Sequence, residues 1–256
     1  MSLASGTLAM LERARRAVFR RVRSRLQTVG FDVVRYDPVS ARDRSRRQLL
    51  CERRIDVALD VGANAGQYAL GLRAIGYRGR IVSFEPLSTA FAQLEETCAD
   101  DPTWECRHVA LGAEGGRATL NVAANSWSSS LLPTKTRLVA AKASTAFVDT
   151  EECDLVTLDE LQEQLVDPNE RVLLKLDVQG SELDVLLGAE STLQQVDVLD
   201  VELAVVELYE GAPLLSEVVQ HLDERGFGVI AIDAGFVHRN GSILEVDGLF
   251  ARVGRR

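Results

Sequence analysis

Short apolar runs alternate with amphipathic segments from residue 55 to residue 252, and this alternation limits the possible folds more than any other feature. Apolar runs bounded by turn residues are typical of buried strands, and a helix between two strands lets them lie parallel. The predicted strands cover residues 56–61, 80–84, 105–109, 172–177, 196–203, 228–233 and 244–252. The pattern therefore predicts an open, mostly parallel α/β sheet.

The predicted helices begin and end at residues suited to helix termini. They cover residues 67–75, 88–98, 182–187 and 213–225, with Ser88 as the N-cap of the second helix. Gly76, Gly188 and Gly226 follow three of these helices, and glycine is the residue that most often ends a helix. Residues 111–161 are less regular, so we expect loops and short strands there, bordering the site.

The first 54 residues carry a charge opposite to that of the remainder. They hold 14 arginines and five acidic residues, a net charge of +9, which leaves −18 for residues 55–256 within the total of −9. Apolar side chains recur at helical spacing over residues 7–29 and Gly30 follows, which predicts a basic amphipathic helix. A polar connector over residues 40–54 would join it to a catalytic domain over residues 55–256.

Three roles are open for this predicted N-terminal helix. It could pack on the body with its arginines in solvent, make peripheral contact with an anionic membrane surface, or pair with a second copy in a homodimer. The first role is the simplest interpretation of an amphipathic helix next to a folded domain.

Composition narrows the class of protein. An acidic body argues against nucleic acid as a partner, because binding to phosphates requires clustered cations. The sequence has no run of about 18 apolar residues and no secretory signal pattern, so we expect a cytoplasmic protein. The four cysteines show no metal-ligand spacing and are expected to be reduced thiols.

A glycine-containing turn follows the first predicted strand, in the sequence LDVGANAGQ at residues 59–67. Its glycines would bring bare backbone close to a ligand. The dinucleotide fingerprint GxGxxG fits poorly, because Asn64 and Gln67 stand at its second and third glycine positions when it is aligned on Gly62. Asp60 at the strand end would repel a pyrophosphate but attract the ammonium group of an amino-acid-like cofactor.

The second predicted strand ends in the sequence FEP at residues 84–86, which places the Glu85 carboxylate where it could accept hydrogen bonds from ribose hydroxyls. Taken singly, the glycine turn could be a simple helix entry and Glu85 a surface acid. Together, at the C-terminal ends of two strands, they predict a nucleoside-containing ligand. Glu85 serves NAD equally well, so an NAD-dependent enzyme is an alternative.

Four motifs, in order and spacing, resemble the FkbM family of S-adenosylmethionine-dependent methyltransferases. They are DVGANAG at residues 60–66, FEP at 84–86, HVALG at 108–112 and KLDVQGSE at 175–182, and the resemblance covers about residues 55–252. It implies a class I methyltransferase fold, Rossmann-like and mostly parallel with one antiparallel strand, here with an N-terminal helical extension. At Gln179 the family often has glutamate, so the chain departs from the pattern there.

The resemblance also implies roles for individual residues and an acceptor class. S-adenosylmethionine would be held at its methionine end by Asp60, Gly62, Asn64 and Gly66. Its ribose would be held by Glu85 beside Pro86, and its adenine by Ala110 and Leu111. Many members look like O-methyltransferases that act on sugars or glycosylated natural products. The 26 arginines against three lysines indicate a GC-rich genome, such as that of an actinobacterium. For such a source, the resemblance implies a methylmannose polysaccharide precursor as one candidate acceptor.

Two charged residues interrupt the apolar strand at residues 172–177. Lys175 and Asp177 are two apart and so share a face, and Glu202 in the next strand should lie beside Asp177. Asp177 and Lys175 are the candidate catalytic residues, although Lys175 could instead form a structural ion pair. A hard cation such as Mg²⁺ bound by Asp177 and Glu202 would relieve their repulsion and position a substrate oxygen. Protonation of one carboxylate, or neutralisation by Lys175, would also do so.

Only three histidines are present, and His238 in a predicted loop is the one candidate for a mobile general base. Trp127 and the serines that follow it offer an aromatic face and hydroxyls, a combination suited to a sugar ring. A third class of function is a membrane-surface or partner-binding module on a degenerate body. The intact Asp60, Glu85 and Asp177 argue against that alternative.

Overall fold

A computed structural model describes residues 22, 24–28, 30 and 41–254. The chain divides into two units, Met1–Ser40 and Ala41–Arg256. In the first unit, residues 22 and 24–27 are helical, and the N–H of Gly30, at φ +85°, donates to the carbonyl of Gln27 at 3.2 Å. Most of the basic helix predicted over residues 7–29 lies outside the described residues.

A seven-stranded sheet forms the centre of the second unit. Its order is β3-β2-β1-β7-β8-β10-β9, and β10 runs antiparallel to both of its neighbours while the remaining pairs are parallel. This topology confirms the predicted class I methyltransferase fold. The strands are β1 Val57–Val61, β2 Arg80–Phe84, β3 Trp104–Arg107, β7 Val172–Leu176, β8 Val196–Ala204, β9 Phe227–Ala234 and β10 Glu245–Arg252.

Helices cover both faces of this sheet, and each face has its own apolar core. One core joins the sheet to the later helices through residues such as Leu158, Leu186 and Leu222, and the other joins it to the earlier helices through Leu49, Leu72 and Leu94. Burial of both faces explains why the central strands are continuous apolar runs. The helices are α1 Ala41–Glu52, α2 Gln67–Ala74, α3 Ser88–Cys98, α4 Thr136–Ala141, α5 Leu158–Leu165, α6 Glu182–Leu187 and α7 Leu215–Glu224.

A small second sheet lies in the region predicted to hold loops and short strands. It has the order β4-β6-β5, with β4 Ala110–Leu111, β5 Gly116–Ala123 and β6 Phe147–Val156. β5 and β6 form an antiparallel pair of eight and ten residues, longer than expected. Few residues of either strand are buried, so these strands lack the apolar runs that identify the strands of the central sheet.

Two local expectations differ from the structure. Residues 41–52, assigned to the polar connector, form helix α1, since arginines at helical spacing contact acidic residues of the sheet. Leu87 rather than Ser88 is the N-cap of α3, because the Ser88 hydroxyl donates to the Glu151 carboxylate instead of capping the helix. Within the described part of the chain, no helix is long and apolar enough to cross a membrane.

Candidate active site

A cleft of about 390 Å³ opens where β1, β2, β7 and β8 end. Open α/β sheets bind ligands at this edge, because loops and helix N-termini surround a shallow crevice there. Of the residues predicted to bind a cofactor or to act in catalysis, nine line the cleft: Gly62, Asn64, Glu85, Pro86, Ala110, Leu111, Lys175, Asp177 and Glu202.

The turn after β1 requires both of its glycines. Gly62 has φ +73°, and a Cβ at this position would lie 1.9 Å from the carbonyl oxygen of Asp177. Gly66 has φ +90°, and its Cβ would lie 2.8 Å from the ring of Trp104. Gly66 is therefore a packing position behind the turn and not part of the cleft wall, whereas Gly62 exposes backbone to the cleft.

Glu85 is buried and held by the backbone on both sides. Its Oε2 accepts the N–H of Asn64 at 2.8 Å, and its Oε1 accepts the N–H of Leu87 at 2.9 Å. Burial raises the pKa of Glu85, although these two amides oppose the rise. Each carboxylate oxygen keeps a second lone pair, and Glu85 lines the cleft, so it can accept a pair of hydroxyl hydrogens from a ligand.

A row of polar side chains crosses the buried sheet beneath the cleft. Strand register places Ser83, Asp60, Lys175 and Asp200 side by side on β2, β1, β7 and β8. Asp60 is 0% exposed, accepts the Ser83 hydroxyl at 3.1 Å and lies 3.2 Å from the ammonium group of Lys175. The Ser83 hydroxyl in turn accepts the indole N–H of Trp104 at 2.9 Å.

This arrangement changes the interpretation of Asp60. It does not line the cleft, so a direct contact with a ligand's ammonium group is not available. Its charge is balanced by Lys175, whose ammonium group also donates to the carbonyl oxygens of Val61 at 3.2 Å and Gly62 at 2.7 Å. Asp60 thereby fixes Lys175, and Lys175 fixes the glycine turn.

Lys175 is 6% exposed and remains a cation. Burial would lower its pKa, but Asp60 and Asp177 outweigh burial and raise the pKa of Lys175 above its ordinary value. A lysine in this state cannot serve as a general base. Its ammonium group lies 3.7 Å from Asp177, which lines the cleft with 40% of its side chain exposed.

The structure brings Asp177 and Glu202 together through an amide. The side-chain N–H₂ of Gln179 donates to Asp177 at 2.8 Å and to Glu202 at 2.6 Å. Burial raises the pKa of Glu202 well above its ordinary value, and the nearby charge of Asp177 adds to this rise. Burial and this neighbouring charge both favour the protonated form of Glu202, one of the alternatives that the sequence left open.

The predicted magnesium site does not fit these contacts. Among the residues that the structure describes, no group of three or more His, Cys, Asp or Glu side chains is placed to hold a metal ion. The donor set is two carboxylates with an amide N–H₂ group between them and the ammonium group of Lys175 beside them. The amide donates to one oxygen of each carboxyl group and so occupies the position that a bridging Mg²⁺ would take.

Two arginines of helix α1 form a cluster of ion pairs with acids of the sheet, which no sequence pattern predicted. Arg42 and Arg46 form ion pairs with Asp200, which is 1% exposed and also accepts the Tyr68 hydroxyl at 3.0 Å. Arg42 additionally pairs with Asp247. Burial alone would raise the pKa of Asp200, but Arg46 and Arg42 outweigh it and hold that pKa below its ordinary value.

All five side chains of this cluster line the cleft. The separation of more than 150 residues between the arginines and Asp200 explains why no local pattern revealed the pairs. The only available signal was the buried acid at position 200 in an apolar strand.

Of the remaining predicted residues, Trp127 lines the cleft and His238 does not. Trp127 is 64% exposed and lines the cleft together with Ser126, whose hydroxyl accepts the side-chain N–H of Asn64 at 3.1 Å. His238 lies between β9 and β10, where its Nδ1 accepts the N–H of Asn240 at 3.4 Å, and it does not line the cleft. The structure therefore does not place His238 where it could act as the base.

Comparison with known proteins gives one family match. Residues 60–229, more than half of the chain, match the model of the methyltransferase FkbM domain. No protein of curated function matches the sequence.

Solved structures of methyltransferases resemble the fold at low identity. A methyltransferase FkbM from Methylobacillus flagellatus KT is 15% identical with a TM-score of 0.47, over 77% of this chain and 43% of that one. The present chain thus spans less than half of that protein. A magnesium protoporphyrin IX methyltransferase from Synechocystis PCC 6803, solved with bound S-adenosylmethionine, is 10% identical with a TM-score of 0.46, over 82% and 78% of the two chains.

Proposed function

The chain belongs to the FkbM methyltransferase family, and from this premise we propose that it transfers the methyl group of S-adenosylmethionine to a hydroxyl oxygen of a sugar or glycosylated natural product. The observation that carries the proposal is the pairing of Glu85 with the Gly62 turn in one cleft. Glu85 is anchored by two backbone amides, and Gly62 exposes backbone 23 positions earlier in the chain, at the end of the adjacent strand.

The residues of the cleft fit this cofactor. Glu85 would accept both ribose hydroxyls, Pro86, Ala110 and Leu111 would contact the adenine, and the backbone around Gly62 would bind the methionine end. The bound cofactor supplies a methyl group already activated by a sulfonium leaving group. The protein's own task is therefore to orient the acceptor, exclude water and remove one proton.

Asp177 is the group best suited to remove that proton. Its carboxylate lines the cleft with 40% of the side chain exposed, and Lys175 and Gln179 hold it from two sides. Asp177 would accept the proton of the acceptor hydroxyl. The hydroxyl oxygen would form the new bond to the methyl carbon, and the sulfur would keep the electron pair of the bond that breaks. Proton removal of this kind contributes about 10²–10⁴-fold to rate.

An exposed indole and the serines of the cleft wall support a sugar as the acceptor. Trp127 presents its indole at the cleft, and Ser126, Ser129 and Ser130 line the wall beside it. A flat ring and several hydroxyl groups match the apolar face and the polar edge of a pyranose.

Calorimetric titration tests the cofactor first. The protein should bind S-adenosylmethionine and S-adenosylhomocysteine but not NADH, and Glu85→Ala should weaken this binding. Binding of NADH alone would revive the dinucleotide alternative, and binding of none of the three would favour a non-catalytic module. Methyl transfer from labelled cofactor to a panel of mannosides, rhamnosides and glucosides would then identify the acceptor, with Asp177→Asn as the inactive control.

A further inference from the structure

The side chain of Gln179 forms hydrogen bonds to three polar side chains at the end of β7. Its side-chain nitrogen lies 2.8 Å from Asp177 Oδ1 and 2.6 Å from Glu202 Oε2, and its side-chain oxygen accepts the Tyr209 hydroxyl at 2.7 Å. The two hydrogens of the amide nitrogen are therefore both used, one for each carboxyl group. No other side chain in the described cleft touches both acids.

The contacts of Gln179 define which way its amide points. A carboxylate can only accept hydrogen bonds, so the N–H₂ group must face Asp177, and its second hydrogen then points to Glu202 Oε2. The Tyr209 hydroxyl has a single hydrogen, and the amide oxygen is its shorter contact, since the carbonyl of Ser128 lies at 3.2 Å. Tyr209 is 2% exposed and cannot exchange this partner for water.

The backbone under Gln179 is fixed as firmly as its side chain. Gln179 has φ +55°, an uncommon conformation for a residue with a side chain. The Ser130 hydroxyl donates to its carbonyl at 2.7 Å, and the N–H groups of Val178 and Gly180 donate to the buried carboxyl of Glu182 at 3.1 Å. A strained residue supported on every side is typical of a functional position.

We propose that Gln179 is a positioning residue that takes the place of a divalent cation between Asp177 and Glu202, with Tyr209 fixing its amide. The amide joins the two acids without adding charge, and it leaves the second oxygen of Asp177 directed to Lys175 and the cleft. Methyl transfer then needs no added metal ion. The consequence for catalysis rests on the proposed function, whereas the consequence for cation binding does not.

The substitution Gln179→Glu would reverse this arrangement. It replaces a donor to two acids by a third carboxylate, so three acidic groups would converge on one point. Like charges at this spacing repel unless a cation or protons join them, and carboxylate oxygens are the ligands that Mg²⁺ prefers. Gln93→Glu on the exposed side of α3 adds the same charge away from the cleft and is the matched control.

Thermal unfolding in EDTA and in Mg²⁺ tests the proposal without any activity assay. The wild type and Gln93→Glu should unfold at the same temperature in both solutions. Gln179→Glu should unfold at a lower temperature in EDTA and should gain about 3 °C or more from Mg²⁺. Adding Glu202→Gln to that variant should abolish most of the gain.

Two results would overturn the proposal. One is stabilisation of the wild type by Mg²⁺ that disappears in Glu202→Gln, because the acids would then already share a cation. The other is a Gln179→Glu variant as stable as the wild type in EDTA and indifferent to Mg²⁺. If Gln179→Glu does not fold, a Mn²⁺ titration of the wild type and Glu202→Gln by electron paramagnetic resonance decides: absence of binding supports the amide, and binding lost with Glu202 refutes it.

Tyr209→Phe tests the role in catalysis. Loss of the hydroxyl should lower kcat by about fivefold, the effect of one ordinary hydrogen bond, while the Kd of S-adenosylhomocysteine stays unchanged. A positioning role is contradicted if kcat falls and the Kd of S-adenosylhomocysteine rises by the same factor, or if kcat is unchanged. Loss of wild-type turnover after EDTA treatment contradicts it as well. Absence of methyl transfer in every variant would instead count against the proposed function, and the cation measurements would still judge Gln179.

Discussion

Replacing Lys175 by methionine is expected to lower the free energy of unfolding by about 3–5 kcal/mol, the cost of removing one partner of a buried ion pair. Methionine fills nearly the same volume, so the loss is electrostatic and not a cavity effect. Asp60, which is 0% exposed, would keep only the Ser83 hydroxyl as a partner. The carbonyl group of Gly62 would lose its donor, and that of Val61 would keep only the N–H of Asp177.

Urea unfolding measures this loss. With an m value of about 3 kcal/mol per molar urea, the midpoint should fall by more than about 1 M. The indole N–H of Trp104 donates to Ser83, which contacts Asp60, so tryptophan fluorescence in a Trp127→Phe background reports on this part of the sheet. Lys142→Met, at an exposed position, is the control and should change stability by less than about 0.5 kcal/mol.

A second substitution separates charge from packing. Asp60→Asn keeps an acceptor for the Ser83 hydroxyl but removes the unpaired charge, so Lys175→Met with Asp60→Asn should recover at least about 1 kcal/mol over Lys175→Met alone. The Lys175–Asp60 ion pair does not stabilise the sheet as described if Lys175→Met lies within about 1 kcal/mol of the wild type, or if Asp60→Asn gives no recovery.

Four further predictions follow from single contacts. Gly62→Ala should lower the unfolding temperature, since its Cβ would lie 1.9 Å from a carbonyl oxygen at φ +73°; unchanged stability contradicts the turn geometry. Glu85→Gln should weaken S-adenosylhomocysteine binding about tenfold or more by calorimetry, as a charged acceptor is lost, and equal affinity excludes the ribose contact. Trp127→Ala should raise the KM of the acceptor and leave cofactor binding unchanged; the reverse would place the indole on the cofactor side. Burial raises the pKa of Glu182 from 4.5 to about 7, so the folded state keeps a proton that the unfolded state releases. Urea midpoints should therefore fall between about pH 5 and about pH 8, and Glu182→Gln should reduce the fall; an identical profile rules out this source.

The sequence alone determined the features that depend on neighbouring residues. The alternation of apolar runs and helical segments gave seven strands within a few residues of their observed ends, and α3 and α6 with the observed bounds. The glycine turn after β1 and the acid after β2 were placed at the same sheet edge for the same reason, since parallel strands end together. The turn and the acid could be predicted because each lies within one strand-turn-helix unit, where neighbouring residues decide the local structure.

Only the tertiary structure decided how the charges are paired. Strand order puts β1 between β2 and β7, which turns Asp60 from a predicted ligand contact into the buried partner of Lys175, 115 positions away. The same long-range packing brings α1 to Asp200 and sets the Gln179 amide where a metal was expected. Periodicity records which face of an element is buried, but not which element lies against it, and the energy of a buried charge depends on that neighbour.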